Sequence, residues 1–146
     1  MNLCDLVSDL RKLGLKPGDA ILTHSSFKAI GEVEGGPKTV VRALIEAVSP
    51  EGHALFPTHT WEGNGPDKLN VFDVRNSPSK VIGVIPETAR TTSGAIRSLH
   101  ATHSVVAFGP RARWFVEGHE DCPTQTGVGS PYDKLADEHG CILLLG

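Results

Sequence analysis

Two clusters of hydroxyl and imidazole side chains carry most of the chemical potential of this 146-residue chain. The first is His24-Ser25-Ser26, followed by glycines at 31, 35 and 36. The second is Arg97-Ser98-Leu99-His100-Ala101-Thr102-His103-Ser104, and His59 stands between the two. Glycines let a backbone approach a ligand closely, hydroxyls add donors, and the free N–H groups at a helix start carry partial positive charge. Such a segment suits a phosphate or pyrophosphate, and it serves equally as a plain connection between a strand and a helix. The spacing is neither a Walker A loop nor G-x-G-x-x-G, so a nucleotide enzyme of those classes is not indicated.

The histidines allow other chemistries. A fold that gathers strand ends would bring His24, His59, His100 and His103 into one pocket; alternatively each ring caps a strand end or bonds a backbone group. His100 and His103 lie three apart and could share a metal with His24 or His59. No H-E-x-x-H, cysteine pair or acidic ligand accompanies them, so no metal is expected. A serine hydrolase lacks its G-x-S-x-G. Cys4, Cys122 and Cys141 are scattered and odd in number, which fits a reducing, cytoplasmic setting. Cys141, within an apolar run, is expected in the core.

The elements that must hold these groups follow from periodicity. Leu3, Leu6, Val7, Leu10 and Leu13 predict an opening helix over 2–13, capped by Asn2 and ended by Gly14. Ala20 to Thr23 is a buried strand leading into the first cluster. Pro37 suits a first helical position, and Val40, Val41, Leu44, Ile45 and Val48 form the apolar face of the helix behind it. Ala54 to Phe56 is a second short strand. Residues 59–79 form a long irregular loop with Trp61, Glu62, Asp67, Phe72 and Asp73, a mixture able to grip a cation or to act as a solvated lid. A short helix over 85–92 and a strand over 105–108 follow. Next come a helix from Pro110 to Val116, a loop over 119–129, a helix capped by Ser130 and a wholly apolar strand over 141–145. Apolar strands alternating with helices predict a single α/β domain over 1–146, with a mixed, largely parallel sheet flanked by helices. A sheet strand that stops at Gly146 leaves no loop at its end, which is odd for a complete protein.

Net charge is −3 with no basic run, so no nucleic-acid partner is expected. No apolar run is long enough to span a membrane, and the N-terminus has no basic-then-apolar signal pattern.

Taken in order, LTHSSFKAIGEVEGGPKTVVRAL, FPTHTW, IPETAR, GAIRSLHATHSVVAFG and GSPYDKLADEHGCILLLG resemble the aminoglycoside 3-N-acetyltransferase (antibiotic N-acetyltransferase) family over nearly the whole chain. The resemblance implies an α/β fold distinct from GCN5-type acetyltransferases. It also implies transfer of acetyl from acetyl-coenzyme A to the 3-amino group of a 2-deoxystreptamine aminoglycoside. By position, Ser25, Ser26, Phe27, Ile30, Gly31, Val33, Gly35 and Gly36 would line the pantetheine and phosphate path. Ser98, His103, Ser104, Val105 and Val106 would face it, and Thr58, Thr60, Trp61 and Asp73 would lie on the acceptor side. Ala101 stands where the family usually has proline. Family members carry their general base in a downstream T-x-x-H-x-x-E that this sequence does not contain, so the chain resembles the N-terminal portion of the family. The alternative implied is a non-catalytic module or remnant that binds coenzyme A without the base.

Overall fold

The computed structural model describes residues 1–60 and 71–146. Helix α1 (Leu3–Lys12) starts on a capping box: the Asn2 side chain accepts the Asp5 N–H, and the Asp5 carboxylate accepts the Asn2 N–H. Leu6, Val7 and Leu10 are buried, but Leu13 is not. The helix ends at Lys12, and Leu13, its C-cap, is 70% exposed, so it drops out of the expected apolar stripe.

Strand β1 (Ala20–Ser25) leads into α2 (Phe27–Ile30), a single turn inside what the glycines mark as loop. Helix α3 (Pro37–Val48) begins with Pro37 at its first turn. Its N-cap, Gly36, has φ 67°, a left-handed conformation that an L side chain adopts only with strain. Then come β2 (His53–Pro57), α4 (Val84–Thr91), β3 (Ile96–Arg97), β4 (Val105–Phe108), α5 (Ala112–Val116), a 3₁₀ turn at His119–Asp121, α6 (Pro131–Asp137) and β5 (Cys141–Leu145). Ser130 caps α6 by accepting the Asp133 N–H. His139 lies just past α6, with φ 51°.

The sheet order is β3-β4-β2-β1-β5. Strand β1 pairs in parallel with β2 and with β5, while β4 is antiparallel to both β2 and β3. Four strands therefore share one direction, and β4 runs against them. Helices α1, α3 and α4 cover one face around Ile21, Leu44, Phe56 and Val106. Helices α5 and α6 cover the other around Leu22, Leu55, Val105 and Phe115. Every residue of β2 is buried, because both faces and both edges of this strand are occupied.

Strand β5 corrects the expectation for Cys141, which is exposed. Its strand forms a sheet edge among the described residues, paired to β1 alone. Leu143 and Leu145 pack against the α1/α3 side. On the opposite face, Ile142 and Leu144 are 61% and 77% exposed, because α5 and α6 lie over β1, β2 and β4 and not over β5.

The burial pattern separates two leucines by consequence. Leu44→Ala, at a fully buried site, is expected to cost about 2–5 kcal/mol in urea unfolding. Leu13→Ala is expected to stay within about 0.5 kcal/mol of wild type.

Candidate functional site

The functional groups collect where β1 and β2 end side by side. Beyond β2 the backbone keeps pairing with the segment before β4. The Thr58 N–H donates to the Ser104 carbonyl at 2.7 Å and the Thr60 N–H to the Thr102 carbonyl at 3.0 Å. The Thr60 hydroxyl donates to the Ala101 carbonyl. The second sequence cluster is thereby laid along the end of β2.

Arg97 anchors this junction. Its Nε donates to Ser104 Oγ at 2.9 Å and to Thr58 Oγ1 at 3.2 Å. Its Nη2 donates to the Thr58 carbonyl at 2.9 Å, and Nη1 donates to the carbonyls of Ser77 at 2.6 Å and Val74 at 3.3 Å. The guanidinium also lies 5.0 Å from the Phe72 ring centre. Burial pulls Arg97 down to about 10, which leaves it charged at neutral pH. The loop over 72–77 is thus tied to the sheet end. Within it, Asp73 Oδ1 accepts the N–H groups of Arg75 and Asn76, and Oδ2 accepts Asn76 Nδ2.

The histidines do meet. The His59 and His103 ring centres are 4.6 Å apart, those of His100 and His103 5.9 Å, and those of His100 and His119 4.5 Å. His59 Nε2 lies 3.3 Å from the Tyr132 hydroxyl. Burial, then the neighbouring rings of His103, His24 and His100, pull His59 down to about 4. Burial also lowers His100, His103 and His119, and it pushes Tyr132 up to about 12. His100 Nδ1 accepts the N–H groups of both Thr102 and His103, which organises the turn between the two rings. No sequence signal marks His119, which stands alone in a segment that reads as loop, with no companion at ligand or helix spacing. His53, also buried, accepts the Arg111 N–H and packs on Phe115, a role confined to the core. Among the described residues, no group of three His, Cys, Asp or Glu side chains is arranged to hold a metal ion.

The expected cofactor residues fall into two sets. Ser25, Ser26, Phe27 and Gly31 line a cleft of about 580 Å³ together with Lys28, Gly83 and Val84. Phe27, Gly31, Val33 and Gly36 line a neighbouring one of about 650 Å³. Ser25 Oγ is buried and makes no hydrogen bond to another described residue. Gly83 and Val84, at the start of α4, carried no signal in the sequence beyond a glycine before an apolar residue. Ile30 packs half-buried against the core, and Gly35 sits over Thr39. Ser98, Ser104, Val105 and Val106 are buried. The Ser98 hydroxyl lies 2.9 Å from His119 Nδ1, and the Ser104 hydroxyl donates to the Thr58 carbonyl. His103 is half-buried at the edge of this set. On the expected acceptor side, Thr58 is buried against Ser104, Thr60 reaches Ala101, and Asp73 is exposed. Trp61 lies outside the described residues.

Comparison with known proteins places this architecture. The aminoglycoside 3-N-acetyltransferase family profile matches residues 22–146. Aminoglycoside N(3)-acetyltransferase III from Salmonella sp is 38% identical over 151 residues, covering 94% of this chain and 52% of that protein. Two solved structures superpose on 99% of this chain and 59% of their own. AAC-VIa bound to sisomicin has a TM-score of 0.89 at 34% identity. AAC-IIIb in binary complex with CoASH has a TM-score of 0.86 at 33% identity. The chain thus spans about half the length of these relatives. Among the described residues, no helix is long and apolar enough to cross a membrane.

The lowered histidines give a signed pH dependence. The unfolded chain takes up protons near the ordinary imidazole value of 6.5, while folded His59 stays neutral down to about 4. Stability is therefore full above pH 6.5 and falls as pH drops from 6.5 toward 4. The urea midpoint at pH 5 is expected below that at pH 7.5. An equal or higher midpoint at pH 5 contradicts the buried neutral cluster.

Proposed function

The chain belongs to the aminoglycoside 3-N-acetyltransferase family, and on that premise we propose that it carries the acetyl-coenzyme A surface of an enzyme that acetylates an amino group of a 2-deoxystreptamine aminoglycoside. The observation that carries this reading is the pair of clefts at the end of β1, lined by residues of the first sequence cluster and its glycine loop. The first supplies the hydroxyls of Ser25 and Ser26 and the Lys28 ammonium, and the second is lined by Met1, Glu32 and Glu34 besides Val33 and Gly36. The Ser25, Ser26 and Lys28 end suits a phosphate, and Phe27 and Val33 suit the pantetheine arm.

In this reading Ser25, Ser26, Phe27, Ile30, Gly31, Val33, Gly35 and Gly36 form the cofactor path. The segment with Ser98, His103, Ser104, Val105 and Val106 is the opposing wall, with the Val105 and Val106 side chains in the cores on opposite faces of the sheet behind it. The Ser98 and Ser104 hydroxyls are committed inside the chain and keep that wall rigid, while half-buried His103 is its accessible member. Thr58, Thr60, Trp61 and Asp73 belong to the acceptor side. Asp73 is exposed and carries a carboxylate held ionised by hydrogen bonds from Asn76 and Arg75, a group that attracts an ammonium of the antibiotic.

The chemistry is direct transfer. A neutral amine attacks the thioester carbon, the new C–N bond forms, and the C–S bond then breaks. The proton lost from nitrogen balances the proton gained by the departing thiolate. N–H donors near the carbonyl oxygen stabilise the oxyanion between these steps.

This chain spans 52% of the length of the Salmonella relative, so turnover by these 146 residues alone is part of the proposal. The narrower reading is a module that binds coenzyme A without transferring its acetyl group. Incubation with acetyl-coenzyme A and kanamycin- or gentamicin-type amines, with free thiol as the readout, separates them. Saturable acetyl-coenzyme A binding is the expected outcome under both readings, and amine-dependent thiol release in addition returns transfer by this chain. Saturable acetyl-coenzyme A binding without thiol release returns the narrower reading, and absence of both overturns each.

A further inference from the structure

His119 takes no part in the transfer outlined above, yet it is fully buried and uses both ring nitrogens. Nε2 lies 2.8 Å from the Gln125 carbonyl oxygen, which has lone pairs only, so Nε2 must carry a hydrogen. Nδ1 of a neutral ring is then bare, and it receives the Ser98 hydroxyl at 2.9 Å. The same Ser98 oxygen accepts the Val105 N–H at 2.8 Å, while the Ser98 N–H donates to the Val105 carbonyl at 2.9 Å. Both sides of the Ser98–Val105 link are fixed in this way.

The ring also supports the turn between them. His100 stacks on His119 with centres 4.5 Å apart and planes tilted by 35°. Through its Nδ1, His100 accepts the Thr102 and His103 N–H groups. One imidazole therefore joins the segment over 118–125 to the segment over 98–105, by a directional bond at each end and a stacked ring between. Filling volume alone needs no nitrogen, and burying two ring nitrogens is unfavourable unless both are bonded. The bonding pattern thus points to orientation as well as packing.

We infer that His119 is a positioning residue for the proposed coenzyme A wall: as an Nε2–H tautomer it locks the Ser98 hydroxyl and so sets the backbone over 98–105. The link to coenzyme A rests on the functional reading given above; the link to Ser98 and Val105 does not.

The test uses the whole chain, labelled with ¹⁵N, and three variants. His119→Phe keeps a ring and loses both bonds. His119→Asn puts an amide oxygen near the place of Nδ1 and restores an acceptor for Ser98. Ser98→Ala removes the same link and leaves the imidazole in place. The imidazole ¹⁵N spectrum at pH 7 is expected to show Nε2 protonated and Nδ1 bare. In His119→Phe and in Ser98→Ala, Val105 amide exchange is expected to quicken and acetyl-coenzyme A to bind about tenfold more weakly, the effect of one buried hydrogen bond. Exchange in the β2–β4 ladder at Leu55 and Ala107 is expected to hold. His119→Asn is expected to bind within about threefold of wild type, a rescue that loss of packing alone does not give.

An Nδ1–H tautomer overturns the proposal. So does unchanged Val105 exchange or unchanged binding in Ser98→Ala, or an Asn variant as impaired as Ser98→Ala. Failure of the wild-type chain to bind acetyl-coenzyme A overturns the functional reading instead; the tautomer and exchange measurements, made without ligand, still decide the Ser98 link.

Discussion

One half-buried guanidinium holds the functional end of the sheet together. Arg97 makes five hydrogen bonds: to the backbone and side chain of Thr58, to Ser104 Oγ, and to the carbonyls of Val74 and Ser77. A buried charge persists only when its donors are satisfied. Here the acceptors come from three separate stretches of chain, so satisfying the charge fixes those stretches relative to one another. Glu87 and Asp73 favour the charged form, and the Phe72 ring covers it. Glu87 is itself engaged by Arg90 and by the Ser79 N–H, so the loop over 73–79 is held at both ends. The end of β2, the segment before β4 and this loop form one unit.

The imidazoles occupy the opposite side of the same strand ends. Side chains alternate along a strand, so Thr58 and Ser104 face the Arg97 side while His59 and His103 face α6 and Tyr132. The result is a polar junction with a charged half and a neutral half. The neutral half is built on rings whose nitrogens accept hydrogen bonds, which is why it depends on pH. Beside it, the connection from β1 to α3 passes through the single-turn α2 and then Gly31, Gly35 and Gly36, and the clefts lie around Phe27.

Much of this architecture was legible in the sequence because the signals were local. Pro37 and Ser130 mark helix starts, and the apolar runs over 105–108 and 141–145 give strands with those bounds. What was hidden depended on distance along the chain. The two-residue β3 exists only through pairing with β4. The single-turn α2 is invisible to a periodicity that needs several turns. Cys141 is exposed because strand position in the sheet, which composition does not encode, decides burial. Histidines gathered at strand ends could be anticipated from their places after apolar runs. His119 could not, since its partner Ser98 lies 21 residues away. The resemblance named the first cluster and its glycines as a cofactor path, and several of those residues line the two clefts. It also named Ser98 and Ser104, whose hydroxyls are turned inward to bonds that hold the second cluster in shape.

The proposed function stands on coenzyme A lying along the segment between β1 and α3. A crystal structure of this chain grown with saturating coenzyme A tests it most directly. Pantetheine and phosphate density is expected to run from Ser25 and Ser26 past Phe27 toward Gly36, with the 98–106 segment as its far wall. Ordered coenzyme A elsewhere on the chain, or empty clefts at saturating ligand, would contradict it.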